Sequence, residues 1–71
     1  MNRIAPAKLK LSKWTARHPE NKEKHFLVTD LELDDDGILL RVELEAVHSG
    51  RSQWLDWRTL RDSETWMMGW R

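Results

Sequence analysis

Phe26 and Trp54 are the side chains in this sequence best suited to hold a ligand, and Lys13, Lys24 and Arg51 are the cations best placed to assist them. Flat rings beside positive charges hold single-stranded nucleic acid: each base stacks for about 1–3 kcal/mol while the cations follow the backbone. The set is therefore read first as a surface for RNA or another nucleic acid. The strand register argued below places Glu45 between Phe26 and Trp54, and a carboxylate in that row suits a cationic peptide better. The alternative reading is thus a protein-interaction module that takes a peptide or another protein through the Phe26/Trp54 patch or at a sheet edge. A third reading makes every tryptophan a core residue of a structural accessory subunit.

Other chemistry has weaker support. Ser12, Ser49, Ser52 and Ser63 lack the glycine-framed elbow of a nucleophile. A domain this small rarely encloses the ~300 Å³ that a ligand pocket needs. We therefore expect no enzyme, no catalytic residue and no cofactor. His18, His25 and His48 match no zinc spacing and have no cysteine to join them, so no metal site is expected. Glu32, Asp34, Asp36, Gly37 and Glu43 fall at positions 1, 3, 5, 6 and 12 of a calcium-loop pattern. However, its first ligand is Glu rather than Asp, its ninth position is Leu40, and its flanks read as strands, so a solvated hairpin turn is expected.

The elements that must position these residues are clearest in the middle of the chain. From 38 to 46 every even position is apolar, namely Ile38, Leu40, Val42, Leu44 and Ala46, with Arg41, Glu43 and Glu45 between them. A period of two marks a half-buried strand. Asp34-Asp35-Asp36-Gly37 before it and Ser49-Gly50 after it are hairpin signals. A first loop at 34–37 pairs Leu33 with Ile38, Leu31 with Leu40, Thr29 with Val42 and Leu27 with Leu44. A second loop centred on Ser49-Gly50 pairs Leu44 with Leu55 and Val42 with Trp57. This register gathers Leu27, Leu31, Leu33, Leu40, Val42, Leu44, Leu55 and Trp57 on one face. It sets Asp30 opposite Arg41 and turns Phe26, Glu45 and Trp54 outward. Ser12–Ala16 reads as a first strand, His18–Lys24 as a loop, and Trp66–Trp70 as a closing strand or hook. The expected fold is mainly β: a small antiparallel SH3-like barrel, or a curved three-stranded meander closed by the chain ends. Residues 1–12 are expected to form a flexible basic arm with little to bury, and 13–71 a single small domain.

Composition sets the outer limits. The 71 residues allow one domain, which buries only about 60% of its unfolded surface. With no cysteine, disulfides are excluded; five tryptophans, each burying roughly 150–250 Å², supply the core instead. The lack of cysteine suits a reducing cytoplasm. Neither a signal peptide nor a membrane span is expected, because no apolar run is longer than the three residues of Ile38-Leu39-Leu40. Net charge is zero but unevenly distributed. Residues 1–25 carry seven Lys/Arg against two acids, 26–47 seven acids against Arg41, and 48–71 four arginines against three acids.

Ser12–Ala16, Asn21–Phe26, Val42–Val47 with Ser49-Gly50-Arg51, and Trp57-Arg58 through Trp66 to Gly69-Trp70 resemble the bacterial tryptophan-rich small proteins. The resemblance covers residues 8–70. It implies a bacterial, cytoplasmic, stand-alone protein, and it brings no activity, ligand or catalytic residue with it.

Overall fold

The computed structural model describes residues 1–71. Five antiparallel strands, β1 (Lys13–Glu20), β2 (Glu23–Leu33), β3 (Leu39–Ala46), β4 (Ser52–Asp56) and β5 (Trp66–Met68), form one sheet in the order β4-β3-β2-β1-β5. A 3-10 turn at Trp57–Arg61 links β4 to β5, and another lies at Pro6–Lys8. The sheet is not closed: β4 pairs only with β3, and β5 only with β1.

Three turns set the strand connections. The expected loop at 18–24 is much shorter than expected, because β1 and β2 run on to a two-residue turn at Asn21-Lys22. Both residues have positive φ, 54° and 63°, the backbone a tight I′ hairpin requires. The acidic turn is held by Asp34, whose Oδ1 accepts from the amides of Asp36 and Ile38 at 2.8 and 2.9 Å. At the third turn the Ala46 amide donates to the Arg51 carbonyl at 2.8 Å.

The expected register requires correction on both sides of β3. β2 pairs as Phe26 with Ala46, Val28 with Leu44 and Leu31 with Val42. Val28 faces Leu44 and Asp30 faces Glu43, so Thr29 is an extra residue on β2; Glu32 faces Arg41 and Leu33 faces Leu39, so Leu40 is an extra residue on β3. Each is a bulge, which inserts one residue and reverses the side-chain alternation beyond it. The sequence reading assumed an unbroken period of two, and these insertions break it. Phe26 and Val28 therefore turn inward and Leu27 outward, while Leu31 stays on the core side. β3 buries Leu39, and Leu40 is exposed. Asp30 lies opposite Glu43, and Arg41 instead forms a bidentate pair with Glu32 at 2.6 and 2.8 Å. β4 is displaced by two residues, pairing Val42 with Leu55 and Leu44 with Gln53. An even displacement preserves the facing, so Leu55 still packs on the core and Trp54 still points away.

The core comprises Leu9, Trp14, Phe26, Val28, Leu39, Val42, Leu44, Ala46, Leu60 and Trp66, with Leu31, Leu55 and Trp57 packed against it. Leu33 and Ile38, expected inside, are exposed. The N-terminal segment buries more than its composition suggested. Leu9 is a core residue, Ile4 packs on the cluster, and the Asn2 side-chain Nδ2 donates to the carbonyls of Leu60 and Trp66 at 2.8 and 2.9 Å. Edge-to-face packing of Phe26 on Trp66, with centroids 5.1 Å apart, ties β2 to β5 across β1.

Leu44 and Leu40 are equivalent under an unbroken alternation but differ here. Leu44→Ala is expected to lower stability by about 2–5 kcal/mol. Leu40→Ala is expected to stay within about 0.5 kcal/mol. Equilibrium urea unfolding of the two variants reads the difference.

Candidate functional site

The side of the sheet away from the core carries two half-open indoles. Lys13, Leu27, Glu45 and Ser52 form one cross-strand row there, and Glu43 opposite Trp54 forms the next along β3. Trp54 is 40% exposed. It stands on an edge strand, and the Arg41 guanidinium lies over its ring at 5.5 Å. The Thr29 hydroxyl donates to Glu43 Oε1 at 2.8 Å, which anchors that carboxylate near the ring.

The second indole, Trp70, is brought over the same face by the C-terminal residues. Gly69 has φ +81° and turns the chain back. The Thr15 hydroxyl donates to the Gly69 carbonyl at 2.7 Å and accepts from the Arg71 amide at 3.0 Å, which explains how a threonine on the outer face becomes fully buried. Trp70 Nε1 donates to the Phe26 carbonyl at 2.9 Å. Its ring stacks on His25 at 5.8 Å and lies 4.8 Å from the Lys13 ammonium. The ring is 42% exposed.

On the core side lies a cleft. Gln53 of β4 and Trp66 of β5 line the same opening with Phe26, Glu23 and Arg51, so the sheet bends until its two edges share a mouth. The adjoining depression, about 320 Å³, is floored by Phe26 and Ala46. Glu23 is buried at its rim with full hydrogen bonding. It accepts from Arg51 Nε at 2.9 Å and Nη2 at 2.6 Å, and from the Ser49 hydroxyl. Charge-assisted bonds of this kind favour the ionised form, and those from Arg51 and then Ser49 hold the Glu23 carboxyl down at about 2. The pair joins the start of β2 to the β3–β4 turn.

The sequence-derived candidates therefore separate. Trp54 is exposed as expected. Phe26 is not: it is a core residue against Trp66 and offers no ring to a ligand from the outer face. Arg51 is exposed, but its charge is matched by Glu23. Lys13 belongs to the Trp70 cluster, and Lys24 is exposed near the turn. Sequence reasoning missed Trp70, His25, Arg41 and Glu23 as site residues. Gly69 before Trp70 was a signal for a chain reversal, and Glu23 stood out as an acid within a basic segment; the position of Arg41 over Trp54 depends on the register. No group of three or more His, Asp or Glu side chains gathers to hold a metal.

The fold and these surfaces define a mainly β domain of one open five-stranded antiparallel sheet, with aromatic side chains on both faces. A family model, Tryptophan-rich protein (DUF2389), matches residues 12–71, and the chain belongs to that family. No curated protein and no solved structure matches it. No helix is long and apolar enough to cross a membrane.

The Glu23–Arg51 pair makes stability depend on pH. Because the folded carboxyl is held below its ordinary 4.5, its contribution is complete above that value and is lost as pH falls from about 4.5 to about 2. Asp56, held at about 2 by Arg58, titrates in the same window. Glu23→Gln should lower stability at neutral pH and flatten, without abolishing, its decline below pH 4.5, as followed by thermal melts across that range.

Proposed function

We propose that this protein is a non-catalytic interaction module whose outer face, centred on Trp54, takes an extended cationic segment of a protein partner along the free edge of β4. The observation that carries this reading is an indole 40% exposed on an edge strand, with Glu43 directly opposite it on β3. A free strand edge offers unpaired amides and carbonyls to an added strand. An exposed indole binds cationic groups through its ring face, and Arg41 already occupies that position within the chain. Asp30, Glu43 and Glu45 favour lysine or arginine over phosphate. The strand order β4-β3-β2-β1-β5 and the 3-10 turn before β5 support describing the scaffold as an SH3-like barrel left open at one seam. The cysteine-free sequence suits a cytoplasmic setting, and the family resemblance suggests a bacterial one.

Nucleic acid remains a second reading, favoured by one observation: the half-open Trp70 ring lies between Lys13 and His25.

Fluorescence titration separates the two. A ten-residue peptide rich in lysine and arginine should bind the wild type, and Trp54→Ala should weaken it by about tenfold, as loss of a central aromatic contact does. A single-stranded oligonucleotide should bind more weakly, if at all. Tighter oligonucleotide binding with a steep salt dependence, lost in Trp70→Ala and retained in Trp54→Ala, would replace the peptide reading with the nucleic-acid one.

A further inference from the structure

At the opposite end of the sheet from the Glu23–Arg51 pair, the β2–β3 hairpin, the Pro6–Lys8 turn and Trp57 enclose a groove of about 500 Å³ lined by Pro6, Leu31, Leu33, Ile38, Leu39 and Trp57. A second depression continues it past Leu40 and shares Ile38, Leu39 and Trp57. Its apolar walls are open to water: Leu33 is 52% exposed and Ile38 60%. The Leu40 bulge turns Ile38 out of the core, and Leu33, on the core side opposite Leu39, is exposed at the end of the sheet. A contiguous apolar surface of this kind on a small domain marks a place where something docks.

Charge identifies the occupant. Three cations around the groove are already engaged: Arg41 by Glu32, Arg58 by Asp56, and Arg61 by the Trp57 ring at 5.9 Å; Lys8 of the Pro6–Lys8 turn is exposed and is outnumbered by the acids of the hairpin turn. The hairpin turn at its rim carries Asp34, Asp35 and Asp36, none of them in an ion pair within the chain. Asp34 Oδ1 is occupied by the turn amides, so Asp35 and Asp36 are the carboxylates free to face a partner. The groove is thus apolar at its floor and negative at its rim.

We propose that this groove is a docking surface separate from Trp54. It takes one or two apolar side chains of a partner protein's segment, flanked by lysine or arginine that pairs with Asp35 and Asp36. Ile38 and Trp57 form the contact floor, and the acidic turn provides the selectivity for cationic flanks. The surface does not depend on the peptide reading of Trp54, and the two are separable by position.

The test is an NMR titration of the intact chain with a synthetic hexapeptide of alternating lysine and leucine. Shifts are expected at the Gly37 and Ile38 amides and the Trp57 indole. Ile38→Ser should weaken the complex by about tenfold, since it removes the exposed apolar floor. Asp35→Asn with Asp36→Asn should weaken it at low salt and remove most of its salt dependence. All three sites are exposed, so an unchanged spectrum elsewhere confirms that the variants fold. Shifts confined to β4 and Trp54, or affinity indifferent to Ile38→Ser, would overturn the proposal. Concentration-dependent dimerisation abolished by Ile38→Ser, seen by sedimentation, would also overturn it by identifying a second copy as the occupant.

Discussion

β2 has to bury Phe26 and Val28 at one end and Leu31 at the other, and no strand with an unbroken alternation can do both. Thr29 resolves the conflict by standing outside the ladder as an extra residue. Leu40 does the same on β3 nearer the hairpin. An inserted residue bends and twists the strand that carries it, and a bent sheet can bring its edges to a common mouth, where Gln53 and Trp66 meet. The Phe26–Trp66 contact and the Glu23–Arg51 pair then hold the two sides of that mouth. The Thr29 hydroxyl also satisfies Glu43, so the bulge helps shape the surface beside Trp54.

The same insertions distribute the aromatics and aliphatics between core and surface. Without them Leu27, Leu33 and Leu40 would share one interior face and Phe26 would face solvent. With them, Phe26 becomes core, Leu40 is exposed, and Ile38 turns outward at the hairpin end, where it lines a groove with Leu33. The tryptophans divide accordingly: Trp14 and Trp66 are buried, Trp57 is half-buried against the core, and Trp54 and Trp70 stand on the outer face. Both outer indoles have a cation against the ring, but their surroundings differ in charge. Trp54 lies among Asp30, Glu43 and Glu45, whereas Trp70 lies between Lys13 and His25.

Much of this was legible in the residues. The alternation in 38–46 gave β3, the Asp-rich turn and Ser49-Gly50 gave the hairpins, and the outward direction of Trp54 survived because β4 slipped by an even number of residues. The facing of β2 was not legible. Leu27, Leu31 and Leu33 form a plausible apolar stripe, and nothing local announces that Thr29 is extra. The deciding energy is long-range: Trp14 faces Phe26 across the β1–β2 hairpin, but Trp66 reaches the Phe26 ring only once β5 returns beside β1. The Glu23–Arg51 pair escaped for the same reason, since it joins residues far apart in sequence. Burial of Leu9 depends on the far end of the chain as well, where Leu60 lies in the same cluster.

The Thr29 insertion turns Phe26 and Val28 into the core. A nuclear Overhauser spectrum of methyl- and aromatic-labelled protein reads that facing. With Thr29 outside the ladder, contacts are expected between the Val28 and Leu44 methyls and between the Phe26 ring and the Trp66 indole. Methyl contacts between Leu27 and Leu44, with a Phe26 ring that touches neither Trp14 nor Trp66, would contradict it.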